Sequence, residues 1–100
     1  MAQLSQNKIE NLAGLVFEND ALKMTILPEL GAKVISLVLK ASAHEYLWRQ
    51  PGRTLRLPSY DSTFTDYDIS GWDECFPTIY PVLYPADPWK GIKVPDHGEV

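Results

Sequence analysis

The chain has a single cysteine, Cys75, so no intrachain disulfide can form and a reducing compartment is the natural expectation. It has no long apolar run. The richest stretch, Val34-Ile35 and then Leu37-Val38-Leu39, is interrupted by Ser36 and falls far short of the ~20 residues of a membrane span. Met1 to Glu10 holds no apolar segment of the kind a secretory leader carries. These features point to a cytoplasmic chain with no membrane partner. Only two histidines occur, His44 and His97, with no His-x-His or Cys-x-x-Cys spacing, so no metal site is expected. Basic residues are scarce in the second half. Residues 1–56 hold seven Lys and Arg against five Asp and Glu; residues 57–100 hold two against eight. Such a half has no cationic stripe for a phosphate backbone, which argues against a nucleic-acid partner. It suits a neutral polyhydroxylated ligand better than an anionic one.

What is present describes a folded chain. One hundred residues fit one domain, and 45% hydrophobic with 22% charged residues is ordinary for a packed core. Met1 to Asn11 is polar and reads as an irregular lead-in. Leu15-Val16-Phe17 reads as a strand and Glu18-Asn19-Asp20 as a tight turn, since Asn and Asp accept left-handed backbone. Leu22, Met24 and Ile26 alternate with Ala21, Lys23 and Thr25, the period-two signature of a half-buried strand. Pro28-Glu29-Leu30-Gly31 breaks it. Lys33 to Leu39 reads as a central strand, Ala41 to His44 as a turn, and Glu45 to Arg49 as a fourth short strand. Four strands joined by short turns, with no helical period, imply an all-β antiparallel meander, the start of a sandwich or barrel.

Seven of the eight prolines and two of the three tryptophans, Trp72 and Trp89, fall in residues 51–100. Proline is excluded from central strands, so this half is expected to be long loops with short strand pieces laid on the sheet. Long loops of this kind commonly carry function.

Two stretches there combine glycine with adjacent carboxylates: Gly71-Trp72-Asp73-Glu74-Cys75-Phe76-Pro77 and Pro95-Asp96-His97-Gly98-Glu99. An imidazole titrates near neutral pH, so His97 is the candidate proton donor; the blander reading is a loop histidine bonded to Asp96 or Glu99. Asp73 and Glu74 are candidates for holding sugar hydroxyls while the Trp72 indole stacks on the sugar's apolar face. The competing reading is a tryptophan capping the core beside solvated acids. A Cys75–His97 nucleophilic pair is formally open, but nothing beside Cys75 would lower its thiol pKa, and a small buried hydrophobe fits better. His44 reads as a surface residue. No Lys or Arg stands beside either motif, Lys90 and Lys93 being nearest, which argues against a phosphorylated sugar.

The run Leu27-Pro28-Glu29-Leu30-Gly31-Ala32-Lys33-Val34-Ile35-Ser36-Leu37, then Glu45-Tyr46-Leu47-Trp48, then Gly71 to Thr78, then Pro95-Asp96-His97-Gly98-Glu99, resembles the opening of the aldose 1-epimerase (galactose mutarotase-like) family. The resemblance runs from about Leu15 onward. It implies a twisted antiparallel β-sandwich with a sugar in a cleft on its face. Members interconvert the anomers of an aldose: a carboxylate base takes the anomeric proton, a histidine protonates the ring oxygen, the ring opens, and the steps reverse. No cofactor or metal is needed. His97-Gly98 matches the first of the family's two active-site histidines, with Trp72, Asp73, Glu74, Asp96 and Glu99 as substrate-binding candidates. Many members carry Asn-Arg where this chain has Trp72-Asp73-Glu74. Family domains are far longer, so residues 1–100 are expected to be the N-terminal part of one such domain, without turnover alone and prone to self-association through exposed strand edges. The alternatives are a non-catalytic carbohydrate-binding module using Trp72, Asp73 and Trp89, or an inert structural fragment.

Overall fold

Alternation and turn chemistry organise the first half of the chain. The computed structural model describes residues 1–97. Its main sheet is a five-stranded antiparallel meander, in which β1 (Gln3–Ile9), β2 (Leu12–Glu18), β3 (Leu22–Leu27), β4 (Lys33–Leu39) and β5 (His44–Glu45) lie side by side in chain order. A second antiparallel pair joins β6 (Val82–Leu83) to β7 (Lys93–Val94). No α-helix occurs among the described residues; the helical elements are two 3₁₀ turns, Pro28–Leu30 and Phe64–Asp66.

The β2–β3 turn is built by Asn19, whose side-chain oxygen accepts from the N–H groups of Ala21 and Leu22 at 2.9 and 2.8 Å. The break at Pro28 is the first 3₁₀ turn, closed by Gly31 in the left-handed region at φ 63°. Two segments differ from the sequence expectation. Residues 3–9, read as irregular, form β1, paired with β2 from Gln3↔Glu18 to Ile9↔Leu12. An edge strand that is exposed along nearly its whole length carries no hydrophobic alternation to read. The strand expected over Glu45 to Arg49 shrinks to His44–Glu45. Past that point the Tyr46 N–H still donates to the Leu37 carbonyl at 2.9 Å, but the Glu45 carboxylate takes the return bond: Oε1 accepts from the N–H of Leu37 and of Leu47 at 2.8 and 2.9 Å, and Oε2 from the Ser36 hydroxyl.

Residues opposite one another in an antiparallel ladder share a face. On one face Leu12, Leu27 and Ile35 meet Leu55 from the loop half, with Ile9 and Leu30 alongside, and this is the core. Ile35 joins it because the ladder slips between Thr25↔Ser36 and Ile26↔Val34, leaving Ile35 as the extra residue of a β-bulge. The loop carrying Leu55 is tied down by its N–H, which donates to Glu10 Oε2 at 2.8 Å. The other face carries the rows Leu4–Phe17–Met24–Leu37 and Leu15–Ile26–Val34, and it lies half open. The Cα radius of gyration, 15.8 Å, exceeds the ~13 Å of a compact 100-residue domain, as a sheet covered on one side would give.

One junction connects the sheet to the loop half. Val34 and Trp72 exchange reciprocal N–H···O bonds, both 2.9 Å, so Trp72 sits beside β4 as an isolated antiparallel bridge. Gly71 makes this approach possible. Its φ is +73°, and a Cβ there would lie 2.3 Å from the Val34 carbonyl oxygen.

Candidate functional site

A cleft of about 600 Å³ opens on the covered side of the sheet, between the first 3₁₀ turn, the start of β4, the loop of residues 56–68, and the segments 73–74 and 95–97. It begins with an unusual residue. Lys33 opens an apolar β-branched strand, yet it is only 4% exposed. A buried ammonium needs partners, and Nζ donates to the Ser70 carbonyl at 2.6 Å and to Asp73 Oδ2 at 2.8 Å. The geometry follows from strand alternation. Val34 and Trp72 face one side of the sheet, so their neighbours Lys33 and Asp73 face the other. Asp68 sits on the same Ser70 main chain: Oδ1 accepts from the Ser70 N–H at 2.9 Å, while the buried Oδ2 has no partner among the described residues.

The second 3₁₀ turn, Phe64–Asp66, frames the other wall. The Phe64 N–H donates to Asp96 Oδ2 at 3.0 Å, and Asp96 Oδ1 bonds to His97 Nδ1 at 2.9 Å. The His97 ring then stacks on Phe64 with centroids 3.6 Å apart and planes 15° from parallel. The His97 main chain is in the left-handed region at φ 63°, held there by its N–H donating to the Ile79 carbonyl at 2.7 Å. Such strain in a non-glycine residue persists only when the surroundings enforce it, and it concentrates at functional sites. The Phe64 N–H holds the Asp96 carboxyl below the usual carboxylate range; partial burial opposes this and His97 adds to the lowering. Tyr67 closes the turn. Its phenol is pulled below the ordinary tyrosine range, first by the Ser62 hydroxyl and then by Ser59, with a smaller contribution from Arg56. The Arg56 guanidinium lies 4.4 Å from the centre of the Tyr67 ring.

The structure therefore brings Asp73, Glu74, Asp96 and His97 into one lining. Trp72 is absent from it: the indole belongs to the opposite face and is 51% exposed. Trp72 and Asp73 do not share the lining of this cleft, because consecutive residues of an extended chain point to opposite sides. Trp89 also lies outside the cleft, tilted against Tyr84 at 6.2 Å. Glu99 lies outside the described residues. His44 is exposed, as read, with its ring edge-on to Tyr46 at 4.7 Å. Among the described residues no group of three His, Cys, Asp or Glu is arranged to hold a metal ion, and no helix is long and apolar enough to cross a membrane.

Of this lining the sequence reading singled out Asp73, Glu74, Asp96 and His97; Lys33, Arg56, Phe64, Tyr67 and Asp68 are among the residues that escaped it. Lys33 and Arg56 overturn the statement that no Lys or Arg accompanies the two motifs, which holds along the chain and not in space. The lone charge of Lys33 in an apolar strand was the available signal. The cleft nevertheless keeps an acidic balance, with Glu29, Asp61, Asp68, Asp73, Glu74 and Asp96 against Lys33 and Arg56. Comparison of the chain with protein-family models, with curated proteins and with solved structures finds no match in any of the three.

Proposed function

We propose that this cleft binds a neutral, polyhydroxylated small molecule, a monosaccharide or a close analogue. The observation that carries the reading is the convergence of an Asp96–His97 pair and two further carboxylates on one cleft of small-molecule size, with the Phe64 ring stacked behind His97. Carboxylates accept from sugar hydroxyls. The acidic balance of the lining favours a neutral ligand over a phosphorylated one.

The resemblance to aldose 1-epimerases extends the proposal to chemistry. With Nδ1 held by Asp96, His97 is left with Nε2 for the ligand, and it is the group to which we assign proton delivery to the ring oxygen. Asp73 and Glu74 orient hydroxyls. The family's carboxylate base and second histidine are not among these motifs, so the 100-residue chain binds without turning over. The same reading makes the five-stranded meander one layer of a mutarotase-like sandwich, and its half-open apolar face supports that.

Calorimetric titration with a panel of aldoses, polyols and sugar phosphates tests the reading. Neutral sugars are expected to bind weakly, with affinity reduced several-fold by His97→Ala and by Asp73→Asn and unchanged by Trp72→Ala. Binding that responds to Trp72→Ala and ignores His97→Ala would favour a module that uses the other face. Polarimetry on the same chain is expected to give no rate above buffer.

A further inference from the structure

We infer that Asp68 is the reserve counter-ion of Lys33: it takes over the ammonium when a ligand draws Asp73 out of their pair, and so positions Asp73 without touching the ligand itself. The inference rests on the reading of the cleft as a ligand site in its last step only. The reserve role itself stands on the buried charges.

Among the described residues just two charged side chains are buried, Lys33 and Asp68, and they are opposite in sign. Both hang on one residue. Lys33 Nζ donates to the Ser70 carbonyl at 2.6 Å, and Asp68 Oδ1 accepts from the Ser70 N–H at 2.9 Å. Those two main-chain atoms of Ser70 lie about 3 Å apart. Ser70 is fully buried and its hydroxyl accepts from the Gln50 N–H at 2.6 Å, so the anchor between the two charges is fixed. Yet the charges are not bonded to each other. Asp68 Oδ2 is buried without a partner among the described residues, and Lys33 uses two of its three donors, on Ser70 and on Asp73.

The carboxylate that Lys33 does hold is the more exposed one. The Asp73 side chain is 20% exposed against 4% for Lys33, and it lines the cleft. A ligand hydroxyl therefore reaches Asp73 while the ammonium stays behind it. Were Asp73 to turn toward the ligand with no second acceptor at hand, a buried ammonium would be left on a single carbonyl, which is strongly unfavourable. Asp68 removes that obstacle. Its Oδ2 is too deep to serve a ligand, but it can take the charge. A lysine head on its flexible four-carbon stem exchanges one carboxylate for the other by a short shift along the Ser70 main chain.

Chemical denaturation of the 100-residue chain tests the reserve role with no ligand present. Asp68→Asn removes the charge and keeps an oxygen for the Ser70 N–H. Asp68→Asn and Asp73→Asn are each expected to lower the denaturation midpoint slightly, since Lys33 retains one carboxylate in both. The double variant retains neither and is expected to fall by more than the sum of the two shifts. Additive shifts would overturn the inference, because Asp68 would then do no more than cap Ser70. If the double variant does not fold, Lys33→Met is added to Asp73→Asn in its place. A lower midpoint is expected, since Asp68 is then stranded. A higher midpoint, the result of removing a lone ammonium, would overturn the inference. Calorimetry with glucose and galactose tests the last step. Asp68→Asn is expected to weaken binding several-fold, because Lys33 then keeps Asp73 from the ligand; unchanged affinity would overturn the exchange. If the unaltered chain binds no neutral sugar, the proposed function fails, while the midpoints still decide whether Asp68 holds Lys33.

Discussion

Lys33 is the residue where sheet and cleft meet. Its ammonium is buried and bonded to Asp73 and to the Ser70 carbonyl. Removing one partner of a buried pair strands the other, so Lys33→Met should cost about 3 kcal/mol in chemical denaturation. The double variant Lys33→Met with Asp73→Leu should recover part of that loss; no recovery would mean the pair is not coupled. Gly71→Ala should cost more than the ~1 kcal/mol of an ordinary Gly-to-Ala strain, because the new Cβ meets the Val34 carbonyl as well as an unfavourable φ. The sequence named Asp73, Glu74, Asp96 and His97 through their motifs, but it could not show that Trp72 turns away. That follows from the Val34 bridge, a contact across 38 positions of chain.

At the scale of elements, turns and alternation made β3, β4, the Asn19 turn and the Pro28 break legible. β1 was not, because a polar edge strand is stabilised by its ladder and not by burial. β5 ended early because the Glu45 side chain takes the Leu37 N–H that the next rung of the ladder would use. Glu45 carries a pH consequence. Burial pushes its carboxyl up, but the Leu37 N–H, the Ser36 hydroxyl and the Leu47 N–H outweigh this and hold it below its ordinary value. Asp96 is depressed as well. Carboxyls with depressed folded-state pKa values contribute stability that is complete above their unfolded values, about 3.9 for Asp and 4.3 for Glu, and lost as pH falls through the lower folded values. Stability should therefore fall on acidification below about pH 4. Glu45→Ala and Asp96→Asn should each flatten that fall in denaturation midpoints measured from pH 6 downward. An unchanged acid limb in both variants would remove these two groups as its cause. Glu45→Ala should also speed amide exchange at Leu37 and Leu47, whose N–H groups lose their acceptor.

The whole molecule is a sheet with two unlike sides. One side carries a small core and a cleft whose walls come from distant parts of the chain; the other is apolar and half open. The central claim is that a neutral sugar-like ligand enters that cleft. Chemical-shift mapping of the ¹⁵N-labelled chain against a panel of monosaccharides tests it most directly, because it reports place as well as binding. The account predicts saturable shifts confined to the amides of residues 64–68, 73–74 and 96–97, with the midpoint raised several-fold by His97→Ala. Shifts clustered around Trp72 and the Phe17–Met24 face, or none at any sugar concentration reached, would contradict it.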